Sequence, residues 1–223
     1  MPSNAIKYHD RLFKINYLKK YEKIHRAVTV PITIEIPFDL TPRDFIKFAK
    51  ADFKLKKKRG VVNALSNIKR ALHCQLDCLI HTCGFEIVAK KERWNIDNKV
   101  SFLQELEIIT PDFLKKINRQ RNLLEHEYMM ASREKVEDAI DFIELFVIHT
   151  EKYIHNTIDE CQFGYYFRDK CYESPIIRFD RDNLKFIICE DITKNGELKF
   201  NPLLEVNKKS KEFYILLRAF LHT

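Results

Sequence analysis

Between Val61 and Cys83 apolar residues return at helical spacing: Val61, Leu65, Ile68, Leu72, Leu76, Leu79 and Cys83. The stripe predicts a long helix with a face that other elements must cover. Its opposite side carries Asn63, Asn67, Arg70, Cys74, Asp77, Cys78 and His81. A plain surface helix shows Lys and Glu there. Amides, thiols and a few charges suit a second contact surface or a polar cleft; this face is expected to meet the segment Arg121–Tyr128, or its copy in a partner subunit, with Asn67 and Arg70 orienting a substrate or that segment. Gly84 is placed to end the helix.

Cys74, Cys78 and His81 form a C-x-x-x-C-x-x-H run on that side. Thiolate and imidazole are zinc ligands, and a metal-stabilised interaction protein is one reading. A structural zinc site normally closes with four ligands, and no fourth is evident. Buried cysteine also behaves as a small apolar residue. The expectation is therefore no metal and no cofactor.

Upstream, Val28, Val30, Ile32, Ile34 and Ile36 alternate with Thr29, Pro31, Thr33 and Glu35, the period of a half-buried strand over 27–36. Pro31 cannot donate to a ladder, which predicts an edge strand. Thr41, Pro42 and Asp44 supply an N-cap, a first-turn proline and a dipole-matched acid for a helix. The basic run Lys47, Lys50, Lys54, Lys56, Lys57, Lys58 and Arg59 faces one acid, Asp52. Such a run either forms a solvated face or holds a phosphate backbone, with Lys56, Lys57 and Lys58 as substrate-binding candidates.

Residues 85–98 read as a connection holding the sole tryptophan, Trp94, followed by a short helix near Val100–Ile108. Thr110-Pro111-Asp112 opens a helix from Phe113 to about Tyr128. Ser132 caps another that runs to about residue 157. After His155 the pattern changes. Phe163–Phe167, Tyr172–Phe179, Leu184–Cys189 and Glu197–Phe200 read as strands, with a tight turn at Asn195-Gly196 and a last helix over Lys211–His222. The expected fold is mainly α: an up-and-down antiparallel helical bundle over 41–157, a lead-in and strand over 1–40, and a small antiparallel β appendage over 158–223, which the strand near Val30 can join.

Four glycines in 223 residues argue against long flexible linkers. No run is apolar enough to span a bilayer, and MPSNAIKYHD lacks the apolar core of a secretory signal. The six cysteines show no disulfide framework. These features predict reduced thiols, the cytoplasm and no membrane partner. A net charge of +7 suits a polyanion.

The chemistry-bearing stretch is RNLLEHEY, Arg121 to Tyr128. Arginine is a permanent cation whose fork of donors fits phosphate oxygens. Histidine takes and gives a proton near neutral pH. Asparagine orients either partner. On a regular helix Arg121 and His126 are turned about 140° apart. The pair converges only through an irregular helix or through a second copy of the chain.

This stretch resembles the signature of the HEPN superfamily of helical domains: an Arg and a His four to six residues apart, with Asn, Asp or His after the Arg. Arg121, Asn122 and His126 match it, and Tyr128 matches the longer form R-x-x-x-x-H-x-Y of HEPN toxins paired with nucleotidyltransferase antitoxins. The apolar helix before it (Phe113, Leu114, Ile117) and the amphipathic helix after it agree, and the resemblance covers about residues 42–157. It implies a homodimer with two motifs on one cleft and a metal-independent endoribonuclease. Arg121 would hold the scissile phosphate, His126 would act as general acid or base, and Asn122 would orient either. Tyr128 would be a regulatory site, modified with AMP by a separate nucleotidyltransferase partner. The alternative is a non-catalytic module for nucleic-acid or nucleotide binding or for dimerisation.

Overall fold

Thr41 and Asp44 close the first helix on each other. Helix α1 spans Pro42–Lys54 with proline in its first turn. The Thr41 hydroxyl accepts from Asp44 N at 3.3 Å, and the Asp44 carboxylate accepts from Thr41 N at 3.0 Å. This is the capping arrangement expected from the sequence. The computed structural model describes residues 24–110, 112, 132–167, 170–173, 176–194 and 197–222. The chain divides into two units, Ile34–His155 and Met1–Thr33 with Asn156–Thr223.

The helical unit is arranged around α2, Lys58–Thr82, of whose 25 residues 13 are buried. Such a helix needs cover on most of its circumference. Cover comes from α1, from α4 (Ile96–Glu105) and from α5 (Arg133–His155), with the short α3 (Glu86–Lys91) at its C-terminal end. Of the expected stripe, Val61, Ile68, Leu72, Leu76, Leu79 and Cys83 are buried, while Leu65 is half-buried. The helix ends at Gly84, as expected. Its φ of 79° lets its N–H return to His81 O at 2.8 Å while Phe85 N reaches Ile80 O at 3.0 Å.

Polar contacts fix the directions of the helices. Arg43 forks onto both carboxylate oxygens of Glu151 at 2.5 Å, and Lys50 reaches Glu144 at 2.6 Å, so α1 runs antiparallel to α5. Asn67 donates to Asp52 at 2.9 Å and Cys74 Sγ lies 3.5 Å from Leu40 O, so α1 is antiparallel to α2 as well. Helices α2 and α5 therefore run in the same sense. Between them, the buried Gln75 amide donates to Thr150 Oγ1 at 2.8 Å, and Thr150 donates to Phe146 O at 2.7 Å.

The second unit is a six-stranded antiparallel sheet. Strands β1 (Ile24–Pro31), β2 (Ile158–Phe167), β4 (Ile176–Asp180), β5 (Lys185–Lys194) and β6 (Glu197–Asn207) lie in that order, and β3 (Lys170–Glu173) pairs with β2. Helix α6, Lys211–Leu221, packs on the sheet. Its Phe213 and Phe220 rings lie 5.2 and 4.9 Å from that of Phe186, which stacks on Phe179 at 4.6 Å. Alternation sets the buried face: Ile177 and Phe179 pair with Ile188 and Phe186, and all four are buried. On the other row Arg178 Nε reaches its register partner Glu160 at 2.8 Å.

This overturns the mainly α reading with a small β appendage. The chain is α+β, and its sheet is one of the two units rather than an attachment. Aromatic and β-branched clusters marked only parts of the strands. Strands β2 and β5 are each 10 residues long and β6 is 11, and charged residues such as Glu160, Glu190 and Asp191 break the apolar runs without breaking the ladder.

Strand β1 lies at the sheet edge, as Pro31 implied, but stops at Pro31 rather than at Ile36. Ile32 N still donates to Thr157 O at 2.9 Å. Residues 34–40 then follow α2, where Glu35 O meets His81 Nε2 at 3.1 Å. Alternating exposure continues to Phe38. The period-2 signal therefore reported extended backbone, only part of which has a strand partner. The Asn195-Gly196 turn lies outside the described residues, although Lys194 and Glu197 pair on either side of it.

Two substitutions test this packing. A Cβ at Gly60 would sit 2.5 Å from Asp52 O and 2.7 Å from Leu55 O. Gly60→Ala should therefore destabilise by about 1–3 kcal/mol through overpacking, despite alanine's better helix propensity. An unchanged or raised thermal midpoint by circular dichroism refutes the close approach of α1 and α2. Thr150→Val leaves the Gln75 amide buried without its acceptor and should cost about 1–3 kcal/mol in urea unfolding. An equal midpoint means that this hydrogen bond contributes nothing.

Candidate functional site

Arg121, Asn122, His126 and Tyr128 lie outside the described residues, as do the flanking Phe113, Leu114 and Ile117. The remaining candidates fall on α2 and on the turn before it. Lys56, Lys57 and Lys58 are exposed together with Arg59. Lys57 is the N-cap of α2 and makes no side-chain capping bond, and the first turn holds no acid. Cations at that end oppose the helix dipole.

Asn67 and Arg70 part company. Asn67 is buried and bridges inward, donating to Asp52 at 2.9 Å and accepting from Arg70 Nη1 at 3.4 Å. It holds α1 to α2 instead of facing a substrate. Arg70 is exposed and lines an open groove of about 710 Å³. One wall is the segment Pro37–Leu40 with Phe45 of α1. The other is α2, through Ser66, Lys69, Arg70, His73, Cys74 and Asp77. The groove combines aromatic surface, cations and an imidazole.

A second depression, of about 280 Å³, shares Phe38 and Asp77 with the groove and extends toward α3 and α4. Its charges are mostly matched: Lys99 pairs with Asp77, and Glu86 holds Lys90 at 2.5 Å and His81 Nδ1 at 2.6 Å. Lys90, and then His81, keep the Glu86 carboxyl below the usual carboxylate range. Arg93, at φ 54°, occupies the left-handed position after α3 that glycine fills after α2.

The C-x-x-x-C-x-x-H run does not gather. Cys78 is buried, and its hydrogen bond with the adjacent Cys74, together with burial, drives its thiol pKa upward. His81 has both ring nitrogens engaged, by Glu86 and by Glu35 O. Among the described residues no three His, Cys, Asp or Glu groups come together as a metal cage. The five described cysteines are free thiols. No helix among these residues is long and apolar enough to cross a membrane.

Sequence reading missed Lys69, His73 and the 37–40 wall. A signal existed for the first two. Val62, Ser66, Lys69, His73 and Asp77 recur at three- and four-residue spacing, a second stripe beside the apolar one. The wall carries no helix or strand signal and is found only by tracing the chain.

Glu86 makes the local electrostatics testable. A carboxylate with a depressed pKa adds stability above its unfolded value, and that stability fades as pH falls through the folded value. Glu86→Gln should lose about 0.5 kcal/mol at pH 7 and converge on wild type near pH 3. A difference that persists or grows in acid contradicts the pairing. In comparisons with known proteins, no family model, curated protein or solved structure matches the chain.

Proposed function

We propose that the protein is a metal-independent endoribonuclease whose reacting groups are Arg121, Asn122 and His126. The observation that carries this reading is the motif itself, R-N-x-x-x-H-x-Y over Arg121–Tyr128. A described contact supports it. Arg133, the first residue of α5, donates to Phe53 O at 2.7 Å and stacks on the Phe53 ring at 4.1 Å. That is the end of α1, immediately before Lys54 and Lys56–Arg59.

In the proposed reaction the ribose 2′-hydroxyl gives its proton to a general base and attacks the adjacent phosphorus. The P–O5′ bond breaks, and the departing oxygen takes a proton from a general acid. The products are a 2′,3′-cyclic phosphate and a 5′-hydroxyl. His126 serves as base or acid, a role worth about 10²–10⁴-fold. Arg121 neutralises charge on the non-bridging oxygens. Asn122 orients phosphate or imidazole. Because the spacing of Arg121 and His126 separates them on a regular helix, a homodimer with two motifs on one cleft is part of the proposal. AMP on Tyr128, added by a separate nucleotidyltransferase, would place negative charge beside Arg121 and block RNA. A toxin or defence role follows from that arrangement.

RNA incubated with the protein in EDTA should be cut by wild type and spared by His126→Ala, with DNA intact in both. Cleavage that is equal in the two proteins defeats the assignment. RNA binding without turnover in wild type selects the non-catalytic module instead.

A further inference from the structure

We propose that the groove between Pro37–Leu40, α1 and the outer face of α2 is a track for single-stranded RNA, leading from the basic turn at Lys56–Arg59 to the 37–40 wall. The first support is the continuity of charge. Arg59 and Arg70 are both exposed on one α2 stripe, about 16 Å apart along the helix axis. Lys69 stands beside Arg70 in the groove wall. Lys54 and Lys56–Lys58 extend the cationic surface past the start of α2.

Acids in this region are fewer, and most are committed. Asp77 is held by Lys99, Asp52 by Asn67 and Asp44 by the Thr41 cap. Among the described residues that line the groove, Asp39 is the exposed acid. A chain of phosphates gains along the cationic stretches and meets opposition at Asp39 and at Asp52, whose hydrogen-bond partner is neutral.

The second support is aromatic. Phe45 lines the groove and meets Phe48 edge-on at 6.3 Å. Phe48 is 45% exposed, an unusual place for a phenyl ring on a charged helix, and Phe38 forms part of the opposite wall. Cations interleaved with accessible rings suit a strand whose bases are free to stack. A duplex keeps its bases inside and cannot use the rings. That the polymer is RNA rests on the ribonuclease reading; the groove rests on described residues alone.

The test separates binding from cleavage by using a fluorescein-labelled 2′-O-methyl RNA of about 12 nucleotides, which has no free 2′-hydroxyl to react. Anisotropy is read in EDTA over a salt series. Wild type should bind the single strand, and the same strand annealed to its complement at least about tenfold more weakly. Lys69→Glu/Arg70→Glu should weaken single-strand binding by about tenfold or more and flatten the salt slope by about 1.4, for two lost phosphate contacts. Phe48→Ser should weaken binding without changing the slope. Lys91→Glu, an exposed reversal on α3, controls for net charge, and circular dichroism melts confirm folding.

Equal binding by the folded Lys69/Arg70 variant, or equal binding of duplex and single strand, overturns the groove. Cleavage by wild type that survives in that variant with unchanged KM also overturns it, while leaving the ribonuclease intact. Groove-dependent binding with no cleavage in any protein upholds the groove and removes the ribonuclease.

Discussion

Everything in the helical unit follows from the need to keep water off α2. A helix with 13 of 25 residues buried cannot stand alone, and its stability comes from its neighbours rather than from its own propensity. Helices α1, α4 and α5 each take part of its surface. The cover is close enough that residue 60 must lack a side chain, because carbonyls of Asp52 and Leu55 occupy that space. One strip is left partly open, and it is the strip that carries Arg59, Ser66, Arg70 and His73. The candidate binding surface is thus the remainder of a packing problem.

Much of that unit was legible in advance. The cap at Thr41, the stop at Gly84, the cap at Ser132 and the apolar stripe of α2 are local signals, and each is realised locally. Asn67 was misread for a physical reason. Its position on the helix wheel is polar, but a polar side chain is satisfied equally well by water or by a buried carboxylate, and Asp52 supplies the carboxylate. Nothing in spacing distinguishes those outcomes. His81 and Cys78 fail as a metal pair for a similar reason, since a hydrogen-bonded imidazole and a buried thiol share the spacing of ligands. The sheet was underestimated because strand length is set by ladder partners that are distant in sequence.

The basic turn before α2 breaks a local rule. Lys57 caps nothing, and Lys58 and Arg59 sit at the positive end of the helix. Such placements cost about 0.3–1 kcal/mol each at low ionic strength. The adjoining α1 shows that this chain can cap a helix well, with a threonine, a proline and an acid in sequence. The contrast marks the turn as a place where positive potential outweighs helix stability, in keeping with a polyanionic partner.

The order of strands has a consequence for biosynthesis. Strand β1 is made early but pairs with β2, which follows the entire helical unit, so that unit is an insertion between two neighbouring strands. As the chain leaves the ribosome, residues 34–155 can collapse while β1 still has no partner. Joining β1 to β2 closes a long loop, but the entropy of closure grows only logarithmically with length, and a pre-folded insert brings the loop's ends under control before they meet. The nascent chain therefore carries β1 without its β2 partner until the helical unit has been made, and the proline at its far end discourages a wrong neighbour from extending along it.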